Sequence, residues 1–103
     1  MAEIETVTHP VLIAVTALPG AMFWRENSGL FLTLDGRRHV RAGVDGIGDI
    51  MGVFNGRAVA IETKTQTGRF EASQKHFRDK FTRSGGLYIV ARCPEDAING
   101  LLG

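Results

Sequence analysis

Three features of this 103-residue sequence predict an α/β fold, a mixed β-sheet flanked by helices. The dipeptides Asp35-Gly36 and Asn55-Gly56 each sit between apolar runs, the pattern of two-residue antiparallel hairpins. Glu71 to Ser84 carries Phe77 and Phe81 four positions apart and stops at Gly85-Gly86, which reads as an amphipathic helix. Leu87 to Ala91 is a compact apolar run directly after that helix, so it reads as a strand buried on both faces, reached by a crossover and therefore parallel to an earlier strand.

In chain order, Thr8-His9-Pro10 before Val11 to Val15 predicts a helix start, because proline in the first turn loses no hydrogen bond; Pro19-Gly20 ends it. Ala21 to Arg25 is a short apolar strand. Leu30 to Leu34 and Arg37 to Arg41 form the first hairpin, and Asp49 to Phe54 with Arg57 to Thr65 form the second. Cys93-Pro94-Glu95-Asp96 opens a last helix, with proline and acids in its first turn. Trp24, Phe77 and Phe81 are expected in the core.

The length suits one domain spanning residues 1–103. A hydrophobic fraction of 44% and a charged fraction of 22% are ordinary for a globular protein. The formal net charge is +1, from 12 basic and 11 acidic residues, so nucleic acid would not be bound through bulk charge. Local positive clusters exist at Arg37, Arg38 and Arg41 and again at Arg69, Lys75, Arg78, Lys80 and Arg83. Arg25 and Asn27 precede Ser28-Gly29, where a phosphate contact and a turn role compete. Cys93 is the single cysteine, which leaves no internal disulfide and no cysteine zinc cluster. No secretory signal is expected, Val11 to Leu18 is too short to span a bilayer, and a cytoplasmic setting without membrane partners is the default.

The chemistry concentrates in Gly46-Ile47-Gly48-Asp49, Ala60 to Lys64, and Gln74. Strand alternation puts Ala58, Ala60, Glu62 and Lys64 on one face and Val59, Ile61 and Thr63 on the other. Pairing about Asn55-Gly56 sets Asp49 opposite Glu62, two carboxylates that repel unless a cation lies between them. Those carboxylates and the backbone carbonyl of Thr63 suit Mg²⁺, which polarises a phosphodiester and lowers the pKa of a water. Lys64 would hold the attacking water and stabilise the pentacovalent phosphate. Gln74 shares a helix face with Phe77 and Phe81, so it would point at the sheet and orient Lys64 or the water.

Asp, then Glu-x-Lys, then Gln on the next helix resembles the PD-(D/E)xK nuclease superfamily. More closely, Gly46 to Asp49, Ile61 to Lys64, Gly68-Arg69-Phe70, Gln74 and Gly85 to Tyr88 are similar to the VRR-NUC family, over a span from about Gly20 to the end. The resemblance implies a restriction-endonuclease-like fold and Mg²⁺- or Mn²⁺-dependent endonuclease activity on DNA. Stand-alone members are similar to Holliday-junction resolvases and work as homodimers, which implies branched or duplex DNA and a second copy as partners. It also implies a metal-site Glu on the first helix, with Glu5 the nearest match and His9 its rival. Gly48 stands where the superfamily usually has proline, and Glu71 replaces a small capping residue.

Taken singly, Asp49, Glu62 and Lys64 fit a surface ion-pair patch at a hairpin. Taken as an ordered set with Gln74 they favour a nuclease. The rivals are a non-catalytic nucleic-acid-binding module and a subunit of a larger DNA-processing assembly.

Overall fold

Asn55 and Gly56 both adopt positive φ, 49° and 82°, the backbone that a two-residue turn between twisted strands requires. That turn joins β4 (Ile50–Phe54) to β5 (Arg57–Thr63), paired antiparallel from Phe54↔Arg57 to Ile50↔Ile61. The structure, a computed structural model, describes residues 4–26, 29–44 and 46–103.

The chain enters as a π-helical turn over Ile4–Thr8 and becomes α-helical in α1 (His9–Thr16). The expected start at Thr8 to Pro10 is therefore a change of winding within a longer coiled segment. Pro10 has no N–H to give back to the preceding turn, and it stands where the winding changes. The helix ends earlier than Pro19, where the Thr16 hydroxyl donates to the carbonyls of Leu12 and Ile13. β1 (Ala21–Arg25) follows, then the two-stranded ribbon β2 (Gly29–Leu32) and β3 (His39–Ala42). α2 (Ala72–Arg83), β6 (Leu87–Ala91) and α3 (Pro94–Leu102) complete the chain.

The main sheet is mixed, in the order β1-β4-β5-β6, with β5 and β6 parallel and Ile61 opposite Ile89. Val11 and Val15 of α1, Ala97 of α3, Phe23, Ile50, Val59, Ile61, Ile89 and Ala91 form one core against one face of this sheet. α2 lies on the opposite face, where Phe77 meets Tyr88 at 6.2 Å between ring centroids. Among the described residues this is an α/β fold, with three α-helices about a four-stranded mixed sheet and a separate two-stranded ribbon.

Some sequence expectations are corrected. The first hairpin keeps its register about Asp35-Gly36, with Leu32 opposite His39, but its turn is longer than two residues. Thr33 N donates to Arg38 O, and Gly36 N to Thr33 O. The Asp35 carboxylate accepts from the Thr33 hydroxyl and the Arg37 amide, and those two bonds hold its pKa below the usual value. β6 is buried on its core face, whereas Val90 on the α2 face is 38% exposed. Phe77 and Phe81 are only half-buried, no residue of α2 is fully buried, and Trp24 is 45% exposed. The reason is alternation along β1: Phe23 turns into the core, so Trp24 faces away from it. Among the described residues, no helix is long and apolar enough to cross a membrane.

Candidate active site

The site forms where β4 begins and β5 ends. Asp49 lies one residue before Ile50, and Glu26 N donates to its carbonyl at 2.8 Å, which ties it to the end of β1. Its carboxylate turns onto Thr63: Oδ2 accepts from the Thr63 amide and from the Thr63 hydroxyl, both at 2.9 Å. This side chain takes the place of a ladder carbonyl, so β4 starts at Ile50 rather than Asp49 and β5 stops at Thr63 rather than Thr65. Because Thr63 gives its one hydroxyl proton to Asp49, Thr8 donates to Thr63 across 2.6 Å. Thr8 and Thr63 are 1% and 0% exposed, so this relay anchors Asp49 to the first helical segment through the core.

On the other face of β5, Glu62 and Lys64 project toward α2 and are only 3% and 7% exposed. Lys64 Nζ stands 3.8 Å from Glu62 Oε1. Glutamate and lysine are almost never this buried unless paired, and a buried pair carries a large desolvation penalty. The surface ion-pair description therefore does not apply to Glu62 and Lys64.

Gln74 occupies the third position of α2, and its Nε2 donates to Glu62 Oε1 at 2.8 Å. Its Oε1 accepts from the Glu71 amide at 2.9 Å, so one side chain caps the helix and grips the site. Gln74 thus contacts Glu62, where an orienting role toward Lys64 or water was expected. The absence of a small residue before α2 is made good by this Gln74–Glu71 bond.

The glycines of Gly46-Ile47-Gly48-Asp49 have a steric purpose. Gly46 has φ +75°, and a Cβ there would lie 2.0 Å from Ser73 O at the start of α2. A Cβ on Gly48 would fall 3.0 Å from Ile61 O. The loop can therefore lie between β5 and the N-terminus of α2, bringing Asp49 to the same end of the sheet as Gln74. Beyond Lys64, the Arg92 guanidinium donates to Thr65 O and Gly68 O and holds the following loop.

Tyr88 completes the site from β6. It pairs with Ala60, two residues before Glu62 on the same face. Its pKa is pushed well above the usual value by burial, and further by the negative charges of Glu62 and Asp49, with Arg78 acting against them. Both carboxylates are thus within electrostatic range of a single hydroxyl.

Arg25 is exposed at the end of β1, Arg37 and Arg38 at the ribbon tip, and Arg69 in the loop held by Arg92. His9 is exposed, and Thr8 is the side chain of that turn that reaches the site. Asn27 and the side chains of Glu5 and Arg41 lie outside the described residues. Reasoning from sequence passed over the hydroxyls of Thr8 and Thr63, and Tyr88 and Arg92. Strand alternation and the crossover could have found Tyr88; Arg92 carries no local signal.

Among the described residues, no group of three or more His, Cys, Asp and Glu side chains is placed to share a metal ion. Two carboxylates suffice for Mg²⁺, which keeps several of its own waters. Among the described residues, Asp49 Oδ1 accepts no hydrogen bond and the buried Tyr88 Oη has no partner. An uncommitted carboxylate oxygen and an unmatched donor fit a hydrated hard cation. No protein-family model matches this chain, and no curated protein matches it either.

Proposed function

We propose that this protein is a metal-dependent endodeoxyribonuclease of the VRR-NUC type within the PD-(D/E)xK superfamily. The carrying observation is the buried Glu62–Lys64 pair gripped by Gln74, at the strand end where Asp49 is fixed by Thr63. Desolvated charge gathered at one strand end supports a catalytic reading.

Asp49 and Glu62 would hold Mg²⁺ or Mn²⁺, together with the Thr63 carbonyl and, as a further ligand, Glu5. When bound, the ion supplies Lewis-acid polarisation of the phosphodiester and a more acidic water. Lys64 holds a water against the phosphorus and faces the charge that grows on the phosphate oxygens. The water oxygen bonds to phosphorus and gives up a proton to solvent, one P–O ester bond breaks, and the leaving oxygen takes a proton from solvent. Gln74 keeps the Glu62 carboxylate in one orientation. Thr63 and Thr8 do the same for Asp49.

DNA is the substrate class, with structure-selective cleavage of branched DNA by a homodimer inside the cell. Arg25, Asn27, Arg37, Arg38, Arg41 and Arg69 would contact phosphates, which position DNA without reading its sequence. The test is cleavage of four-way-junction and linear duplex DNA with Mg²⁺ or Mn²⁺, alongside light scattering for the dimer. Wild type should cut only with the cation, and Lys64→Ala should lose at least about 100-fold in rate. Equal activity in wild type and Lys64→Ala would sink the catalytic assignment. DNA binding without any cation-dependent cleavage would select the non-catalytic module.

A further inference from the structure

The Tyr88 hydroxyl is buried, and among the described residues no protein atom is its hydrogen-bond partner. A buried hydroxyl left this way is penalised unless something outside the protein accepts its proton. Its ring is fixed by Phe70, edge-on at 6.0 Å, and by Phe77 at 6.2 Å, so it has little freedom to seek another acceptor. The parallel register sets Tyr88 beside Ala60 and diagonal to Glu62, a spacing that an aromatic side chain can bridge. The charges of Glu62 and Asp49 both reach the hydroxyl, yet it bonds to neither carboxylate. A water beside the hydroxyl would take the hydrogen bond that no described protein atom accepts.

We propose that Tyr88 Oη belongs to the cation site, donating a hydrogen bond to a hydration-shell water of the divalent ion held by Asp49 and Glu62. This rests on the metal-dependent reading above. The hydroxyl positions the hydrated ion by holding one of its waters. The site supplies the geometry that a hard cation with few protein ligands lacks. Phe70 and Phe77 keep the donor aligned.

Tyr88 is the single tyrosine of the chain, so a ¹³Cζ-tyrosine label on the full protein gives one NMR signal from the site. On adding Mg²⁺ alone, that signal should move saturably, with the midpoint that calorimetry gives for Mg²⁺ binding. Glu62→Gln should abolish both responses. Tyr88→Phe keeps the ring contacts and should bind Mg²⁺ about 10-fold more weakly, the usual effect of losing an outer hydrogen bond to a metal site. If Mg²⁺ binds wild type and Tyr88→Phe equally and the tyrosine signal does not move, the inference is overturned and the nuclease reading stands. If no Mg²⁺ binds wild type, both fall together. The wild-type NMR arm decides the matter even if Tyr88→Phe does not fold.

Discussion

Asp49 Oδ2 accepts two hydrogen bonds from Thr63, one from its amide and one from its hydroxyl, each 2.9 Å long. A single residue thus orients the acid by backbone and side chain together, and Oδ1 accepts no hydrogen bond among the described residues. Thr8 backs the arrangement from 2.6 Å inside the core.

Thr63→Val removes the hydroxyl with little change in volume. It leaves the buried Thr8 hydroxyl without its partner, so the variant should lose about 1–3 kcal/mol in denaturant unfolding. Thr8→Val combined with Thr63→Val should recover part of that loss, because no orphan remains. Cleavage should stay impaired in the double variant, since Asp49 keeps only the amide bond. A double variant as active as wild type would separate Thr63 from the site.

Lys64→Met removes the cation 3.8 Å from the buried Glu62 carboxylate and should destabilise the fold by about 3 kcal/mol. Adding Glu62→Gln should restore most of that stability, because the remaining charge is gone and Gln74 still has an amide to bond. Neither variant should cut DNA. Additive losses in a double-mutant cycle, measured by urea unfolding, would show that the two side chains are not coupled.

Gly46→Ala meets two obstacles at once, a positive φ and a Cβ 2.0 Å from Ser73 O. Its cost should be about 2 kcal/mol or more, beyond that of an ordinary loop substitution. Because the loop must move off α2, Asp49 should shift with it, and cleavage should fall further than stability alone explains. Gly56→Ala is the control: it also has positive φ, 82°, but its added Cβ meets nothing within 4 Å. Equal effects on activity would show that the packing of Gly46 on α2 does not place Asp49.

Alkaline stability should depend on Tyr88. Its folded pKa is raised, first by burial and then by the charges of Glu62 and Asp49. A raised folded value means that the contribution is intact below the unfolded tyrosine pKa of about 10 and is lost as pH climbs above it. Wild type should therefore unfold at lower pH than Tyr88→Phe, and tyrosinate absorbance should appear together with the loss of circular dichroism. Tyrosinate forming near pH 10 in a protein that stays folded would contradict this.

Much of the fold is legible in local signals. Asn55-Gly56 fixes the β4–β5 register because only two residues with positive φ close that turn, and the register then dictates which residue lies opposite Asp49. The parallel β5–β6 pair follows from a helix between two apolar runs. Ile61 beside Ile89 is therefore a consequence of chain order. The first turn was harder to read, because Thr33 and Asp35 supply side-chain bonds that support a longer loop than Asp35-Gly36 alone suggests. Trp24 and the two phenylalanines of α2 were misplaced because apolarity says nothing about which sheet face is covered.

The sequence by itself determined the strand alternation, the two hairpin registers, and the order Asp49, Glu62, Lys64 and Gln74, since these depend on spacing and turn chemistry within short stretches. Tertiary structure alone decided that Glu62 and Lys64 are buried, that Asp49 is held by Thr63 and Thr8, and that the Tyr88 hydroxyl is buried. The physical reason is that burial and hydrogen-bond partnership are set by elements distant in the chain. Thr8 and Thr63 are 55 positions apart, and no local pattern encodes their meeting.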